Sequence, residues 1–292
     1  MSDIKFKEKD YAELLLKKGL ISKNFGTELK ILAKYFKSLG KKPKEREKLI
    51  YEFCENHVTD FSRVLYFKKI NSALNYARKK ESVLINIDQI EITKNELEVI
   101  DSLDADHVQK KLCFTLLTLN KLYSTIHKIK YGEKNKEHFY GGNNKKYKEL
   151  IDVSHTSLTA NKLHFIIGEL AAKGIVEIRN KGFIKLSFIY EIDSDSEVAI
   201  LINSFADIGL YYDLYTNQPK VKRCAACFVP LKMKSNKTKY CSKCAKDISQ
   251  TKKNQWKREN WNKGRKIEKR WNPWYIRVWD TFNNFLVMVR HT

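Results

Sequence analysis

The sequence predicts a multidomain protein that is mainly α-helical and contains small β elements. Apolar residues recur every three or four positions over most of the first 80 residues and again between 107 and 129, which is typical of amphipathic helices. Runs of β-branched residues are short, and two CxxC sequences follow them. Because the chain has 292 residues, it can form two or three modest domains. We therefore expect a helical N-terminal domain, a helix-and-hairpin domain, a four-cysteine knuckle and a C-terminal amphipathic helix.

The N-terminal domain is predicted to comprise residues 1–103. Its apolar positions, such as those that begin at Leu29, follow helical spacing, and Pro43 suits the first turn of the following helix. Two β-branched runs, 83–87 and 90–92, are typical of strands. No motif in this domain carries chemistry, so its basic helix faces are interpreted as solvated surface.

The second predicted domain, residues 104–190, combines three helices with a hairpin. A long apolar helix over 107–129 precedes a loop rich in Gly, Asn and Lys, and two further helices are predicted over 145–151 and 157–173. Gly174 suits the left-handed residue at the end of the last helix. The hairpin is predicted from two strand-like runs, 175–178 and 183–188, and a turn over 179–182.

This order of helix, helix, turn, helix and hairpin resembles the winged helix-turn-helix superfamily over residues 145–189. The stretch 170–178, Leu-Ala-Ala-Lys-Gly-Ile-Val-Glu-Ile, is similar to the usual passage from recognition helix to wing. Such domains occur in transcription regulators and in phage or plasmid replication initiators, and the resemblance identifies no single family. It implies that the N-terminal half of the 157–173 helix enters the major groove of DNA. A protein-docking or purely structural role is the alternative.

The resemblance also implies a set of DNA contacts. The residues expected near base edges are Ser157, Thr159, Asn161 and Lys162. The residues expected near phosphates are His155 and Thr156, and those expected as wing contacts are Arg179, Lys181 and Lys185. Base contacts would select the DNA site, whereas phosphate and wing contacts would mainly supply affinity.

Residues 191–219 are predicted to form an acidic linker in an otherwise basic chain. No Lys or Arg lies between Lys185 and Lys220, while six Asp or Glu residues do. This segment is therefore expected to face away from a polyanion. Apolar residues from Val198 to Phe205 recur at helical spacing, which predicts a bridging helix. The alternative is a surface for a protein partner or for self-association.

Two CxxC pairs, Cys224 with Cys227 and Cys241 with Cys244, predict one structural Zn²⁺ per chain. Each pair can direct two sulfurs at one point, and four thiolates leave no open position for water or substrate. Two disulfides or a chance spacing are the alternatives. A disulfide within a CxxC pair is strained, and nothing in the sequence suggests secretion. The knuckle is similar to treble-clef fingers and to zinc ribbons.

The formal net charge of +22 predicts a polyanionic partner. Nucleic acid is the first candidate, and an anionic membrane surface is the second. The sequence has no run of about 20 apolar residues, as a membrane span needs. Its start, Met1-Ser2-Asp3-Ile4-Lys5, lacks the apolar core of a signal peptide. We therefore expect a cytoplasmic protein associated with nucleic acid and not with a membrane, DNA being favoured over RNA.

Positive charge is concentrated in the knuckle and its tail, residues 220–270, which contain eighteen Lys or Arg and three acids. All five tryptophans lie in the last 37 residues, so cations could follow a phosphate backbone while aromatic rings stack on bases. The nucleic-acid contacts expected in this tail are Lys252, Lys253, Trp256, Lys257, Arg258, Trp261, Lys263, Arg265 and Lys266. Asn272 and Pro273 can begin a C-terminal helix over 271–292, whose apolar stripe would pack on a core or on a second copy.

These patterns predict a non-enzymatic nucleic-acid-binding protein, in first place a duplex DNA-binding replication initiator or transcription regulator of a phage or other mobile element. The sequence contains no phosphate-binding glycine loop or nucleophile motif. Some treble clefs are HNH nucleases, but no histidine lies between His164 and His291 to activate water. One alternative is an RNA or single-strand binding protein that uses the Trp-rich tail. The other is a nuclease whose acids converge in the fold, among them Asp88, Glu91, Glu96 and Asp101.

Overall fold

The computed structural model describes residues 6–19, 25–132, 140–188 and 196–270, and over 261–270 it describes the backbone alone. These residues are mainly helical with small sheets, as the sequence predicts. The predicted C-terminal helix over 271–292 lies outside the described residues. The chain divides into two compact units, which we call the larger and the smaller unit. The larger is Met1–Lys222 with Val229–Met233, and the smaller is Arg223–Phe228 with Lys234–Thr292.

Four helices at the start of the larger unit enclose a hydrophobic core. They are α1 (Glu8–Lys18), α2 (Phe25–Ser38), α3 (Pro43–His57) and α4 (Arg63–Arg78). Leu15, Leu29, Leu32, Ile50 and Ile70 are almost fully buried between them. Pro43 is the first residue of α3, where a missing N–H costs no helical hydrogen bond. The helices predicted from the apolar spacing are thus confirmed.

The strand predicted over 83–87 is wrong. Only Asn86 pairs, in an isolated bridge with Lys7. The backbone of this segment is instead bonded to the start of α1, because Glu8 N donates to Ile85 O at 2.9 Å and a Glu8 carboxylate oxygen accepts from Ile85 N at 2.8 Å. Ile85 and Ile87 pack into a core, but within the described residues no neighbouring strand completes a ladder with this segment.

The bridging helix predicted from Val198 onwards is also wrong. Residues Val198–Ile202 form strand β5, which pairs antiparallel with β1 (Ile90–Thr93) and joins Ile90 to Ile202. Four of the five residues in β5 are Val, Ile or Leu. Its first and last residues, Val198 and Ile202, are β-branched and therefore favour extended backbone. The helix of this region, α9 (Ile208–Tyr215), begins later. The strand predicted over 90–92 is confirmed.

The middle of the larger unit contains three helices and a three-stranded sheet. After α5 (Lys94–Ser102), the elements are α6 (His107–Tyr131), β2 (Tyr140–Gly141), α7 (Asn144–Ser154), α8 (Ala160–Ala172), β3 (Val176–Arg179) and β4 (Phe183–Leu186). The sheet order is β2-β4-β3, with antiparallel pairing throughout. Leu116, Leu163 and Ile184 belong to the core that these elements share. Among the helices that the structure describes, none is both long enough and apolar enough to cross a membrane.

Two local features explain where α8 and the hairpin begin and end. The helix predicted from 157 starts at Ala160, because the Thr159 hydroxyl accepts from Lys162 N at 3.3 Å and caps its first turn. Gly174, with φ of 71°, takes the left-handed conformation predicted for the end of the helix. The predicted hairpin is confirmed, and its turn places Lys181 and Gly182 at positive φ.

A buried ion pair fixes α9 against α6. Lys111 Nζ donates to Asp213 Oδ2 at 2.5 Å, and His107 Nε2 lies 3.1 Å from the other carboxylate oxygen. Both Lys111 and Asp213 are buried. Burial lowers the pKa of Lys111 even though Asp213 favours its charged form. Asp213, one of the six acids of the predicted acidic linker region, is therefore part of the core and not of the surface.

The change Asp213→Asn is expected to lower the free energy of unfolding by about 3 kcal/mol, because it leaves the Lys111 ammonium buried beside a neutral group. Denaturant unfolding followed by tyrosine-region circular dichroism would measure the loss. The matched control is Glu197→Gln, which removes the carboxylate of the exposed Lys94 ion pair and should leave the unfolding midpoint near that of the parent. Equal midpoints for both variants would contradict this prediction.

Candidate metal centre and nucleic-acid surfaces

The four-cysteine knuckle is positioned by a short strand and by the start of a long helix. Strands β6 (Val221–Arg223) and β7 (Pro230–Lys232) form a two-stranded sheet, and Cys224 directly follows β6. Phe228 has a φ of 60°, which turns the chain just after Cys227. Helix α10 (Ser242–Arg270) begins immediately after Cys241, and Cys244 lies in its first turn. The helix therefore carries one of the two cysteines of the second pair, and the other lies just before it.

The four sulfurs of the knuckle are close enough to bind one ion. The ligand atoms of Cys224, Cys227, Cys241 and Cys244 all lie within 4.8 Å of one another. The Cys227 and Cys241 sulfurs are 3.7 Å apart. A tetrahedral centre with Zn–S bonds of about 2.3 Å places its sulfurs about 3.8 Å apart. All six cysteines of the chain are free thiols, in contrast to the disulfide alternative.

Backbone N–H groups direct positive charge at these sulfurs. Cys241 N donates to Cys224 Sγ at 3.3 Å, and Cys244 N donates to Cys241 Sγ at 3.5 Å. Burial raises the pKa of Cys224, but the N–H donors of Cys241, Ala226 and Cys227 outweigh it and lower that pKa to about 6. The Cys244 thiol donates to the neighbouring sulfurs, Cys227 first, and this stabilisation of its protonated form raises the pKa of Cys244 to about 12. Binding of a cation to these sulfurs would therefore release the protons that remain on the thiols.

Helix α10 contains the nucleic-acid contacts that the sequence predicts for the basic tail. The side chains predicted to contact nucleic acid from 252 to 258, namely Lys252, Lys253, Trp256, Lys257 and Arg258, are all exposed. Trp256 is 65% exposed, and helical spacing places Lys252 and Lys253 on its side of the helix. The remaining predicted contacts of this tail, Trp261, Lys263, Arg265 and Lys266, lie in α10, where the structure describes the backbone alone.

The first turn of α8 and the residues just before it also present their predicted contacts to solvent. Ser157, Thr159, Asn161 and Lys162 are exposed, and Thr159 is the helix cap. Lys181 is exposed in the turn of the hairpin. Arg179 is exposed as well, and its Nε donates to Glu177 Oε1 at 2.9 Å.

Besides Arg179, three predicted phosphate or wing contacts have partners within the protein. Lys185 is buried and its ammonium lies 3.1 Å from Glu177 Oε2, so it is not presented to solvent as the other predicted wing residues are. His155 Nε2 is 2.9 Å from Asp207 Oδ1, which places an acid where a phosphate was expected. The Thr156 hydroxyl lies 2.9 Å from that of Ser154. Of the predicted wing contacts, Arg179 and Lys181 are the exposed ones.

Sequence reasoning missed Phe165, which is 68% exposed on α8. The buried face of this helix is formed by Leu163, Ile167 and Leu170. Phe165 falls outside that stripe and lies one turn after Asn161, so the helical period was a signal that could have identified it.

Two acids of the nuclease alternative, Glu96 and Asp101, have structural partners. Glu96 accepts from Lys121 Nζ at 2.7 Å, and its other oxygen accepts from Thr93 N at the start of α5. Asp101 accepts from the hydroxyls of Tyr212 and Tyr215 at 2.9 and 2.8 Å. In the part of the chain that the structure describes, the knuckle is the one group of three or more His, Cys, Asp or Glu side chains placed to hold a metal ion.

Comparisons with known proteins do not assign this chain to a family. No protein-family model, curated protein or solved structure matches it. The functional proposal is therefore built on the four-sulfur cluster, the exposed face of α8 and the basic surface of α10.

Proposed function

We propose that this protein is a non-enzymatic, zinc-containing DNA-binding protein that acts in replication initiation or transcription control of a phage or other mobile element. The observation that carries the proposal is the order α7, α8, β3, β4, in which α8 is held by the core on one face and exposed on the other. This is the helix, turn, helix and hairpin order of a winged helix. In that arrangement the second helix of the pair enters the major groove.

The charges around α8 support contact with a polyanion. Lys162 is exposed beside Asn161 in its first turn, and Lys181 is exposed at the hairpin turn. The single acid of the helix, Glu169, accepts a hydrogen bond from Gln109 Nε2 at 3.1 Å, which draws it towards α6. The exposed side chains of the first turn are therefore neutral or cationic, as phosphate and base contacts require.

The ion proposed for the knuckle is Zn²⁺, with a structural role. Four cysteine sulfurs form a soft donor set, which favours zinc over the hard cations Mg²⁺ and Ca²⁺. The four protein ligands complete a tetrahedron, so the ion would hold the loop to the start of α10 and leave no position for a substrate. In that role the metal would fix the start of α10, the helix that carries the exposed cations.

A second candidate function is single-strand nucleic-acid binding through α10. The observation in its favour is Trp256, which is 65% exposed among cations on a polar helix. An exposed indole between cations can stack on an unpaired base of any sequence while the cations contact phosphates. Competition between duplex and single strands for the intact protein separates the two candidates. Single strands that displace a preferred duplex efficiently would favour the second.

The change Asn161→Ala is expected to reduce discrimination between a preferred and a random duplex. One good base contact is worth about 1–3 kcal/mol, or roughly five- to 150-fold in affinity, and random DNA does not supply it. The matched variant Lys181→Ala should weaken binding to both duplexes by the same factor, because a wing cation contacts phosphate.

Paired affinities at fixed salt, for each variant on each duplex, would measure both effects. Duplexes selected from a random pool by the parent protein supply the preferred site. If Asn161→Ala keeps the full ratio of the two affinities, α8 does not read bases, and the winged helix would be a scaffold.

A further inference from the structure

The outward ridge of α8 consists of Asn161, Phe165, Gly168 and Ala172. These positions follow steps of four, three and four residues, so they lie on one line along the helix. All four are exposed, and Phe165 is the large side chain among them. A Cβ built on Gly168 would meet no atom within 4 Å, so the helix surface beyond Phe165 is open.

This ridge is uncharged, whereas its borders are cationic or polar. Lys162 lies to one side of Asn161 in the same turn, and Lys173, whose ammonium pairs with Asp104 Oδ2 at 3.2 Å, follows the end of the helix. The major groove has the complementary charge pattern, because its uncharged base edges lie between two rows of negatively charged phosphates. A neutral ridge beside the exposed cation of Lys162 therefore matches a groove better than it matches a flat anionic surface.

The chemistry of Phe165 restricts what it can read in that groove. A phenyl ring has no hydrogen-bond donor or acceptor for a base edge, and the thymine C5-methyl is the apolar group that the major groove offers. Asn161, by contrast, can form paired hydrogen bonds with the N6 and N7 atoms of adenine. The two residues are four positions apart, or about 6 Å along the axis, so they reach neighbouring base pairs.

We propose that Phe165 is a specificity-determining residue that contacts a thymine methyl, and that the DNA site of this protein contains A·T pairs facing α8. The inference rests on the proposed DNA-binding function and deepens it. An exposed aromatic residue can also dock a protein, but a docking patch is usually a contiguous apolar area. The ridge around Phe165 is instead formed by an amide side chain, a glycine and an alanine.

The test replaces thymine by deoxyuridine in the duplex that the intact protein selects from a random pool. This change removes the C5-methyl groups and keeps base pairing. We expect the affinity of the parent protein to fall about five- to tenfold, which corresponds to one contact at the low end of the usual range. The variant Phe165→Ala should bind the thymine duplex as weakly as the parent binds the uracil duplex, and it should not distinguish the two.

Two controls keep the outcome interpretable. Because Phe165 is largely exposed, Phe165→Ala should keep the circular dichroism spectrum and unfolding midpoint of the parent. Lys181→Ala should weaken binding to both duplexes equally and keep the preference for thymine. If the parent binds both duplexes equally, or if Phe165→Ala still prefers thymine, the role of Phe165 is overturned while DNA binding stands. If the parent selects no duplex at all, the proposed function itself fails.

Discussion

The change Cys241→Ser is expected to abolish stoichiometric metal binding and to unfold the knuckle, while the larger unit stays folded. Cys241 supplies one of four clustered sulfurs and immediately precedes α10, so its loss opens the centre at the point where the helix begins. Small zinc modules derive much of their folding free energy from the metal, with apparent binding free energies of about 10–16 kcal/mol. Elemental analysis and hydrogen exchange of the purified protein would measure the two effects.

The matched control is Cys54→Ala, which removes a thiol outside the cluster. Burial raises the pKa of Cys54 to about 12, so this thiol stays protonated and is not available as a ligand. The control should keep one zinc per chain, although its N-terminal core becomes less stable. A parent protein without stoichiometric metal, or a Cys241→Ser variant that retains it, would contradict the proposed zinc centre.

Neutralising the basic surface of α10 is expected to cause the largest loss of nucleic-acid affinity. The variant changes four exposed cations to Gln: Lys252, Lys253, Lys257 and Arg258. Each phosphate contact contributes a slope of about −0.9 to the dependence of log affinity on log salt for duplex DNA, so the slope should become shallower by about three to four. Titrations at several salt concentrations would measure it. Unlike a truncation, this variant keeps the knuckle and the buried Leu231 in place.

A control variant with the same change in net charge tests whether position matters. It replaces four exposed lysines of the N-terminal helices and their connections with Gln: Lys41, Lys44, Lys68 and Lys80. These residues are interpreted as solvated surface, so the salt slope should remain close to that of the parent. Equal slopes for the two variants would mean that α10 is not the phosphate-binding surface.

Much of the fold follows from local patterns. Helix α6 is predictable because its apolar positions persist over several turns, and the end of α8 is predictable because Gly174 can adopt positive φ. The knuckle is predictable for a related reason, since each CxxC pair is a local turn and the spacing needs no distant partner. Zinc as its ion and the domain boundaries stay predictions.

The errors arise where a distant residue decides the outcome. Val198, Leu201 and Ile202 fit a helical period as well as a strand, and the partner that selects the strand lies more than 100 residues earlier, at Ile90–Thr93. The acid beside His155 is Asp207, 52 residues away, which no local pattern reveals. Lys185 differs, because hairpin register places it directly opposite Glu177. That cross-strand ion pair could have been inferred from the sequence.

The pairing of β1 with β5 also bears on the order in which the protein assembles. At the end of this ribbon, Lys94 N donates to Glu197 O at 2.9 Å, across a sequence separation of 103 residues. Closing a flexible loop of that length costs roughly 4 kcal/mol of chain entropy, which a ribbon of four residue pairs cannot offset by itself. Local contacts along α6, α7 and α8 must first shorten the path between its ends. We therefore expect the ribbon to form late in folding, after the helices that lie between its two strands in the sequence.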